Sequence, residues 1–214
     1  MNALPVNPST STTLSAQLRA GTRDLHARTE RSGIMPGLLR GEVQRASYCV
    51  LLRNLHAIYA ALEAALTEHA ADALVAPIHD PLLWRRTPLE EDLDVLYGVA
   101  WRDLAITGAT ADCVAHIARA DPPKLVAHAY VRYLGDLSGG QVLARIVQGA
   151  LNLEGTAGTR FYRFAPEDAT TRAHRFRHDL DTLPVSADLV ATIVDEARWA
   201  FSMHVRLFEE LAAS

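Results

Sequence analysis

Apolar side chains recur every three or four residues along most of this 214-residue chain. That spacing places them on one face of an α-helix, whereas the strict alternation typical of half-buried strands is missing. The pattern predicts an all-α protein of about seven or eight helices. The predicted helices cover approximately residues 13–31, 42–70, 88–106, 111–120, 122–151, 166–182 and 186–213.

Local capping signals mark several of these helix starts. Thr87 can cap the helix that Pro88 begins, and Glu90 can reach back to complete a capping box. Asp121, which also precedes a proline, predicts the start of the longest helix, and Ser186 predicts the start of the last one.

Composition fits one globular domain. Hydrophobic residues make up 49% of the chain and charged residues 21%, which excludes a disordered or collagen-like protein. No internal repeat and no linker rich in Gly, Ser or Pro divides the sequence. We therefore expect a single helical domain over residues 13–214, preceded by a flexible lead over residues 1–12.

Net charge, cysteine spacing and hydropathy restrict the ligands, partners and location that we expect. The net charge of −4 gives no general attraction for polyanions, and without an obvious basic patch we expect no nucleic-acid partner. Cys49 and Cys113 form no C-x-x-C pair, so we expect buried, reduced thiols and no disulfide scaffold or zinc ribbon. Since neither a signal peptide nor an uninterrupted apolar span of bilayer length is evident, we expect a cytoplasmic protein without a membrane anchor.

A glycine-rich stretch, GDLSGG, interrupts the longest predicted helix. Gly135, Gly139 and Gly140 each cost a helix about 1 kcal/mol relative to alanine. The stretch could be a loop between two helices. Alternatively the chain stays helical with a kink, and Gly135 and Gly139 share a face without side chains, against which a flat ligand could lie. The residues alone leave both interpretations open.

Polar residues flank these glycines. Asp136 follows Arg132 by four residues, so the two could form a solvated ion pair worth a few tenths of a kcal/mol. Asp136 could instead organise polar chemistry in a pocket. Tyr130 and Tyr133 could be core aromatics or hydrogen-bond donors to a polar ligand.

The segment RDLHARTE in the first predicted helix places His26 at the margin of the apolar stripe. Glu30 lies one turn later on the same face, and Arg23 and Arg19 lie one and two turns earlier. A histidine at such an edge is more often a hydrogen-bonded structural residue than a ligand. The arrangement nevertheless suits haem, which needs a neutral imidazole for its iron and cations for its propionates.

Other metal and nucleophile signatures are missing. The remaining histidines are scattered, and no Glu-x-x-His or His-Glu-x-x-His spacing occurs, which weakens a di-iron bundle or a helical zinc protease. The chain also has no G-x-S-x-G elbow, the usual signature of a serine hydrolase.

Taken together, two of these stretches resemble the heme oxygenase family. RDLHARTE is similar to the proximal-histidine helix of that family, and AHAYVRYLGDLSGGQVLARI is similar to its distal helix. Further stretches agree in order and spacing, namely LHAIYAALEAAL, PLEEDLDVLYGVAW, FYRF and AFSMHVRLFEEL. The resemblance covers about residues 14–211. It implies a single-domain, multi-helical fold that holds haem between a proximal helix and a kinked distal helix.

The resemblance implies roles for the proximal residues and for those near the haem propionates. His26 matches the axial ligand of the haem iron, and Glu30 matches the acidic residue that orients it. The residues that match propionate-side positions are Arg19, Arg23, Tyr130 and Arg177.

On the distal side, the resemblance implies that the backbone of Gly135 and Gly139 approaches the haem face. Asp136 matches a carboxylate that holds distal water, with Arg132 in the same network. His204 departs from the asparagine usual in animal relatives, so the charge or pH response of that network is expected to differ.

The implied activity is oxidative cleavage of haem b, both cofactor and substrate, by O₂ and reductant to biliverdin, CO and ferrous iron. We expect cleavage at the α position and electrons from an external ferredoxin or reductase, with Arg19, Arg23 and Lys124 as candidate contacts for an acidic donor. A non-catalytic haem carrier or sensor on the same fold remains an alternative. A relative that processes a thiamin-like molecule fits less well, because His26 and the glycine stretch would then have no purpose.

Overall fold

The computed structural model describes residues 12–164 and 168–213, and every regular element in that part of the chain is helical. This confirms the predicted all-α class. The α-helices are α1 (Leu14–Thr29), α2 (Met35–Leu39), α3 (Arg45–Glu68), α4 (Arg86–Tyr97), α5 (Gly108–Ile117), α6 (Pro122–Ala129), α7 (Gly135–Leu151), α8 (Ala169–Asp181) and α9 (Ala187–Ala213). The expected lead over residues 1–12 lies outside the described residues except for Thr12, as does the expected start of α8 at Pro166.

The core lies between two groups of helices. α3 packs against α4, α5 and α6, and α9 packs against α1, α5 and α6. α5 and α6 therefore join the two groups. Leu52 and Leu62 of α3, and Ile193 and Leu207 of α9, are at most 1% exposed, and each such side chain contributes about 2 kcal/mol when fully buried.

α3 is long and apolar enough to cross a bilayer by length and composition alone. However, 61% of its most apolar stretch is buried inside the fold. Its apolar side chains therefore form the protein core, which accounts for the composition of this helix.

The junction between α1 and α2 is fixed by a close approach to α9. Gly33 adopts a φ of +50°, and a Cβ atom at this position would lie 1.8 Å from the carbonyl oxygen of Phe208. The backbone N–H of Ile34 donates to that same carbonyl over 3.2 Å. Only glycine fits this position, and the contact holds the C-terminal end of α1 against α9. The short helix α2, which follows, was not predicted.

The predicted start of the helix at Thr87 and Pro88 is wrong. α4 begins at Arg86, because Glu63 of α3 accepts hydrogen bonds from the backbone N–H groups of Arg85 and Arg86 at 2.5 and 3.1 Å. A side chain from another helix thus replaces the local cap. α4 also ends earlier than predicted, at Tyr97, because Gly98 adopts a φ of +73°.

The long predicted helix stays helical across the glycine stretch, so the loop interpretation is wrong. Asp121 caps α6 as predicted, accepting from the backbone N–H of Lys124. A π-helical turn over Tyr130–Leu134 then leads into α7. Such a turn adds one residue to the helical repeat and changes which side chains face a given direction, and it often occurs at functional sites.

Candidate functional site

His26 lies at the edge of α1, beside Phe201 of α9. The two rings form an edge-to-face contact with centroids 5.8 Å apart, and the His26 side chain is 54% exposed. Its Nδ1 atom faces Glu30, whose Oε1 atom lies 3.8 Å away. Within the described residues its ring nitrogens make no hydrogen bond, whereas those of a structural histidine usually do. Nε2 is therefore available to a ligand, and Glu30 can orient the ring.

Gly135 and Gly139 form a bare face at the start of α7. A Cβ atom at either position would meet no heavy atom within 4 Å, so neither glycine is required by packing inside the protein. Gly140 differs, because a Cβ atom there would lie 3.3 Å from Cδ1 of Tyr162. The first two glycines therefore border open space, whereas the third is needed for the core.

Contacts along α9 connect the two sides of this site. α1 packs against α9, and so does the π-helical turn that precedes α7. Between them, the ring of Phe201 touches both His26 and His204, with centroids 5.8 and 6.2 Å apart. His204 in turn lies close enough to Arg132 for that cation to lower its pKa. α9 therefore packs against both the helix that carries His26 and the turn that leads into the glycine face.

Asp136 lies next to the glycine face and is partly buried. The hydroxyl group of Tyr59 donates a hydrogen bond to its Oδ2 atom. Burial raises the pKa of Asp136 to about 7, although the Tyr59 hydrogen bond and the charges of Arg132 and Arg85 oppose the shift. A carboxyl group with this pKa can hold and release a proton near neutral pH.

Arg132 is buried rather than solvated, with only 7% of its surface exposed. Its guanidinium carbon lies 5.8 Å from the ring centroid of Tyr59. The interpretation of Arg132 and Asp136 as a solvated surface ion pair therefore does not hold. Tyr133 is a core aromatic that packs against Phe176 and Tyr59, with ring centroids 6.1 Å apart in both pairs.

His204 also belongs to this network. Burial, together with the nearby charges of Arg132 and His128, lowers its pKa well below the usual value, so it is neutral at physiological pH. Its Nε2 atom is buried and has no hydrogen-bond partner among the described residues. An unpaired buried nitrogen is costly, and a bound water molecule would satisfy it.

Two of the predicted propionate-side cations lie close to Tyr130. Burial raises the pKa of Tyr130, whereas Thr22, Arg177 and Arg19 act to lower it. The structure therefore brings together Arg19, Tyr130 and Arg177, which come from three different elements.

No described contact links the other two predicted cations to Tyr130. Arg23 is 83% exposed and faces Asp24 at 3.7 Å. Lys124 lies 4.0 Å from Asp121 at the start of α6 and lines a separate surface cavity between α5 and α9.

Sequence reasoning missed three residues of the site. Tyr59 lies on the apolar stripe of α3, Arg85 precedes α4, and Phe201 lies on the apolar face of α9. Core packing already explained the two aromatic residues, and Arg85 belongs to no motif, so no local signal identified these residues as part of the site. Tyr59 and Asp136 are 77 residues apart in sequence.

Comparisons with known proteins point to one family. The heme oxygenase family model matches residues 12–210. Heme oxygenase 1 of Synechocystis sp. is 39% identical over 206 residues, which cover 94% of this chain and 85% of that protein. The heme oxygenase of Rhodella violacea is 37% identical and covers 94% and 87% respectively.

Solved structures show the same arrangement of helices. The crystal structure of Synechocystis heme oxygenase-1 in complex with heme superposes with a TM-score of 0.89 at 38% identity, covering 94% of this chain and 93% of that one. The heme oxygenase of Leptospira interrogans also gives a TM-score of 0.89, at 33% identity and 92% and 99% coverage. With the family model matching almost its whole length, this chain belongs to the heme oxygenase family.

Proposed function

We propose that this chain is a heme oxygenase that binds haem between α1 and α7 and cleaves it, with O₂ and electrons, to biliverdin, CO and ferrous iron. The observation that carries the proposal is that α9 packs against both α1, which bears the exposed imidazole of His26, and the turn before the open glycine face of Gly135 and Gly139. Haem iron can take an imidazole as its axial ligand on one side, and a helix face without side chains lets a flat macrocycle lie against the backbone on the other.

The residues present fit haem. Nε2 of His26 would bind the iron, and Glu30 would hold the opposite nitrogen of the ring, which raises the basicity of the ligand. Arg19, Arg177 and Tyr130 would bind the propionates at the rim, since charge-assisted hydrogen bonds to carboxylates are strong. Arg23, on the next turn of the same exposed face as Arg19, would add to this positive rim.

Bound haem supplies the iron at which O₂ is reduced, and its own ring is the substrate that is opened. The glycine backbone lets the macrocycle approach α7 closely and places no acidic side chain directly over the iron. Asp136, with its pKa of about 7, would hold an ordered water and pass protons through it. Tyr59 fixes the orientation of that carboxyl group, and the buried Arg132 stabilises its ionised form.

The rim residues would also determine which carbon of the ring is attacked. By binding the two propionates, Arg19 and Arg177 would fix the rotation of the macrocycle about its normal, and the nearby backbone of Gly135 and Gly139 would limit which meso carbons are accessible. We propose attack at the α-meso carbon, as the family resemblance implies. Electrons would come from an external donor such as a ferredoxin or a reductase.

Reconstitution with haem tests the proposal. Purified protein is titrated with haem and then given ascorbate, or a ferredoxin and its reductase, in air. We expect a 1:1 complex whose Soret band disappears while biliverdin absorbance and CO appear. A haem spectrum that persists under these conditions would instead support the carrier or sensor, and failure to bind haem would reject both.

A further inference from the structure

Three metal-binding side chains meet outside the proposed haem site, where α5, α6 and α9 pack together. Nε2 of His116 lies 2.7 Å from Oε1 of Glu196, and Nε2 of His128 lies 3.0 Å from the same oxygen. The three potential ligand atoms all lie within 4.8 Å of one another. No sequence motif predicts this cluster, because its residues are 12 and 68 positions apart.

We propose that His116, His128 and Glu196 form a binding site for a divalent transition metal, with Zn²⁺ as the preferred ion. Two imidazoles and one carboxylate are a common ligand set for Zn²⁺, with bonds of about 2.0–2.2 Å. Tetrahedral bonds of this length place neighbouring ligand atoms roughly 3.4 Å apart. The two nitrogen–oxygen separations, 2.7 and 3.0 Å, are within about 0.7 Å of this value. The two histidine atoms are at most 4.8 Å apart, so side-chain rotations can bring all three ligand atoms to a bound ion.

The charge balance at Glu196 favours a cation. Its side chain is 9% exposed, and in the described part of the chain its ion-pair partners are only the two histidines. The other partly buried histidine–glutamate pair, His56 and Glu90, differs, because Arg86 supplies a permanent positive charge 3.0 Å from Glu90. A buried carboxylate without such a charge is costly, and a metal ion would balance it.

The protonation states also suit a metal. Burial lowers the pKa of His128, and although burial of Glu196 opposes its ionisation, hydrogen bonds from His128 and His116 keep its pKa below the usual value. Neutral imidazoles beside an ionised carboxylate are the forms that bind Zn²⁺.

Access and rigidity are provided by the surroundings of His116. Its side chain is 32% exposed, whereas His128 is only 1% exposed. The His116 ring stacks on Trp199 with centroids 3.9 Å apart, which restricts its orientation. Both residues line a surface cavity of about 380 Å³ together with Asp112 and Lys124. An ion can enter from this cavity, and a water molecule can fill the fourth coordination position.

A metal here would join three helices that also support the proposed haem site. α9 carries Phe201 beside His26, and α6 leads directly into the π-helical turn before Asp136. The ion would therefore stabilise the helical frame without touching haem. This inference does not depend on the proposed haem chemistry and can be tested even if that chemistry is wrong.

The test uses Zn²⁺ alone, titrated against a chromophoric chelator into full-length, chelator-treated protein. The titration is made on His26→Ala protein as well as on wild type, because His26 and Glu30 could bind Zn²⁺ weakly when haem is absent. We expect one tight site per chain in both proteins. Zn²⁺ at about 100 times its Kd should also raise the Tm by roughly 5–10 °C.

His116→Phe is the informative variant, because phenylalanine keeps the stacking on Trp199 and removes only the ligand nitrogen. We expect it to weaken Zn²⁺ binding by about 100-fold or more, since even partners outside the coordination shell contribute about 10- to 100-fold. His56→Phe, a matched histidine beside Glu90 and Trp101, should leave binding unchanged. Wild-type protein without a stoichiometric site, or equal affinity in His116→Phe, would overturn the proposal.

Discussion

Replacing Asp136 by asparagine should change how the stability of the protein depends on pH. The substitution keeps the size of the side chain and an oxygen that can accept the hydrogen bond from Tyr59. It removes only the ability to ionise. Its effect on stability is therefore a measure of the cost of a carboxylate at this position.

The magnitude follows from the shifted pKa. Burial raises the pKa of Asp136 from 3.8 to about 7, a shift of about 3 units, and each unit corresponds to about 1.4 kcal/mol. Because the folded pKa lies above the unfolded one, the folded state binds the proton more tightly, and stability is lost as pH rises from about 4 to about 7. The total loss is about 4 kcal/mol, of which roughly 2–3 kcal/mol falls between pH 5 and pH 8. Asparagine cannot ionise, so the variant does not lose this stability as pH rises.

Urea unfolding of the haem-free protein at pH 5 and pH 8 gives the required free energies. We expect the difference in unfolding free energy between Asp136→Asn and wild type to increase by about 2–3 kcal/mol from pH 5 to pH 8 in favour of the variant. Other buried carboxyl groups, such as Asp92 with its pKa of about 6, are present in both proteins and cancel. The same variant should lose about 100-fold or more in haem turnover, as expected when a proton-transfer group is removed. A pH-independent stability difference, together with unchanged turnover, would refute the reasoning.

Three further substitutions, one of them with a matched control, separate effects on haem binding and turnover from effects on folding stability. Gly139→Leu should leave the haem-free protein as stable as wild type or slightly more stable, because the position opens to empty space. The added side chain should nevertheless weaken haem binding at least about tenfold by filling the space proposed for the macrocycle. Gly149→Leu, at an equally open position in α7, serves as its control in the haem titration, and equal affinities of the two variants would contradict the assignment. His26→Ala should abolish turnover, with partial recovery on adding imidazole, and full activity without imidazole would exclude His26 as the iron ligand. Glu63→Ala should lower the urea-derived unfolding free energy by about 2–4 kcal/mol, because two backbone N–H groups at the start of α4 lose their acceptor. A loss below about 0.5 kcal/mol would show that water replaces the Glu63 carboxylate as the acceptor.

Helices governed by local periodicity could be predicted from the sequence. α1, α3 and α9 begin and end within about three residues of the expected positions, because apolar spacing and local caps act over one or two turns. The α4 start was missed because its cap, Glu63, is 22 residues upstream of Arg85. The short α2 and the π-helical turn have no local signal and depend on tertiary contacts.

The site could be predicted only in part, because several of its residues come together only in the folded chain. His26, Glu30 and the glycines are grouped within single helices, so short motifs show them together. Arg19 and Arg177 meet Tyr130 only when α1, the π-helical turn and α8 assemble. Likewise, Tyr59 becomes a partner of Asp136 only in the folded chain.

The crystal structure of the haem complex tests the central claim most directly. We expect anomalous scattering to place the iron next to Nε2 of His26, with the macrocycle against the backbone of Gly135 and Gly139 and the propionates near Arg19 and Arg177. Iron bound to a different side chain, or a macrocycle away from α7 while side chains fill the glycine face, would contradict the account.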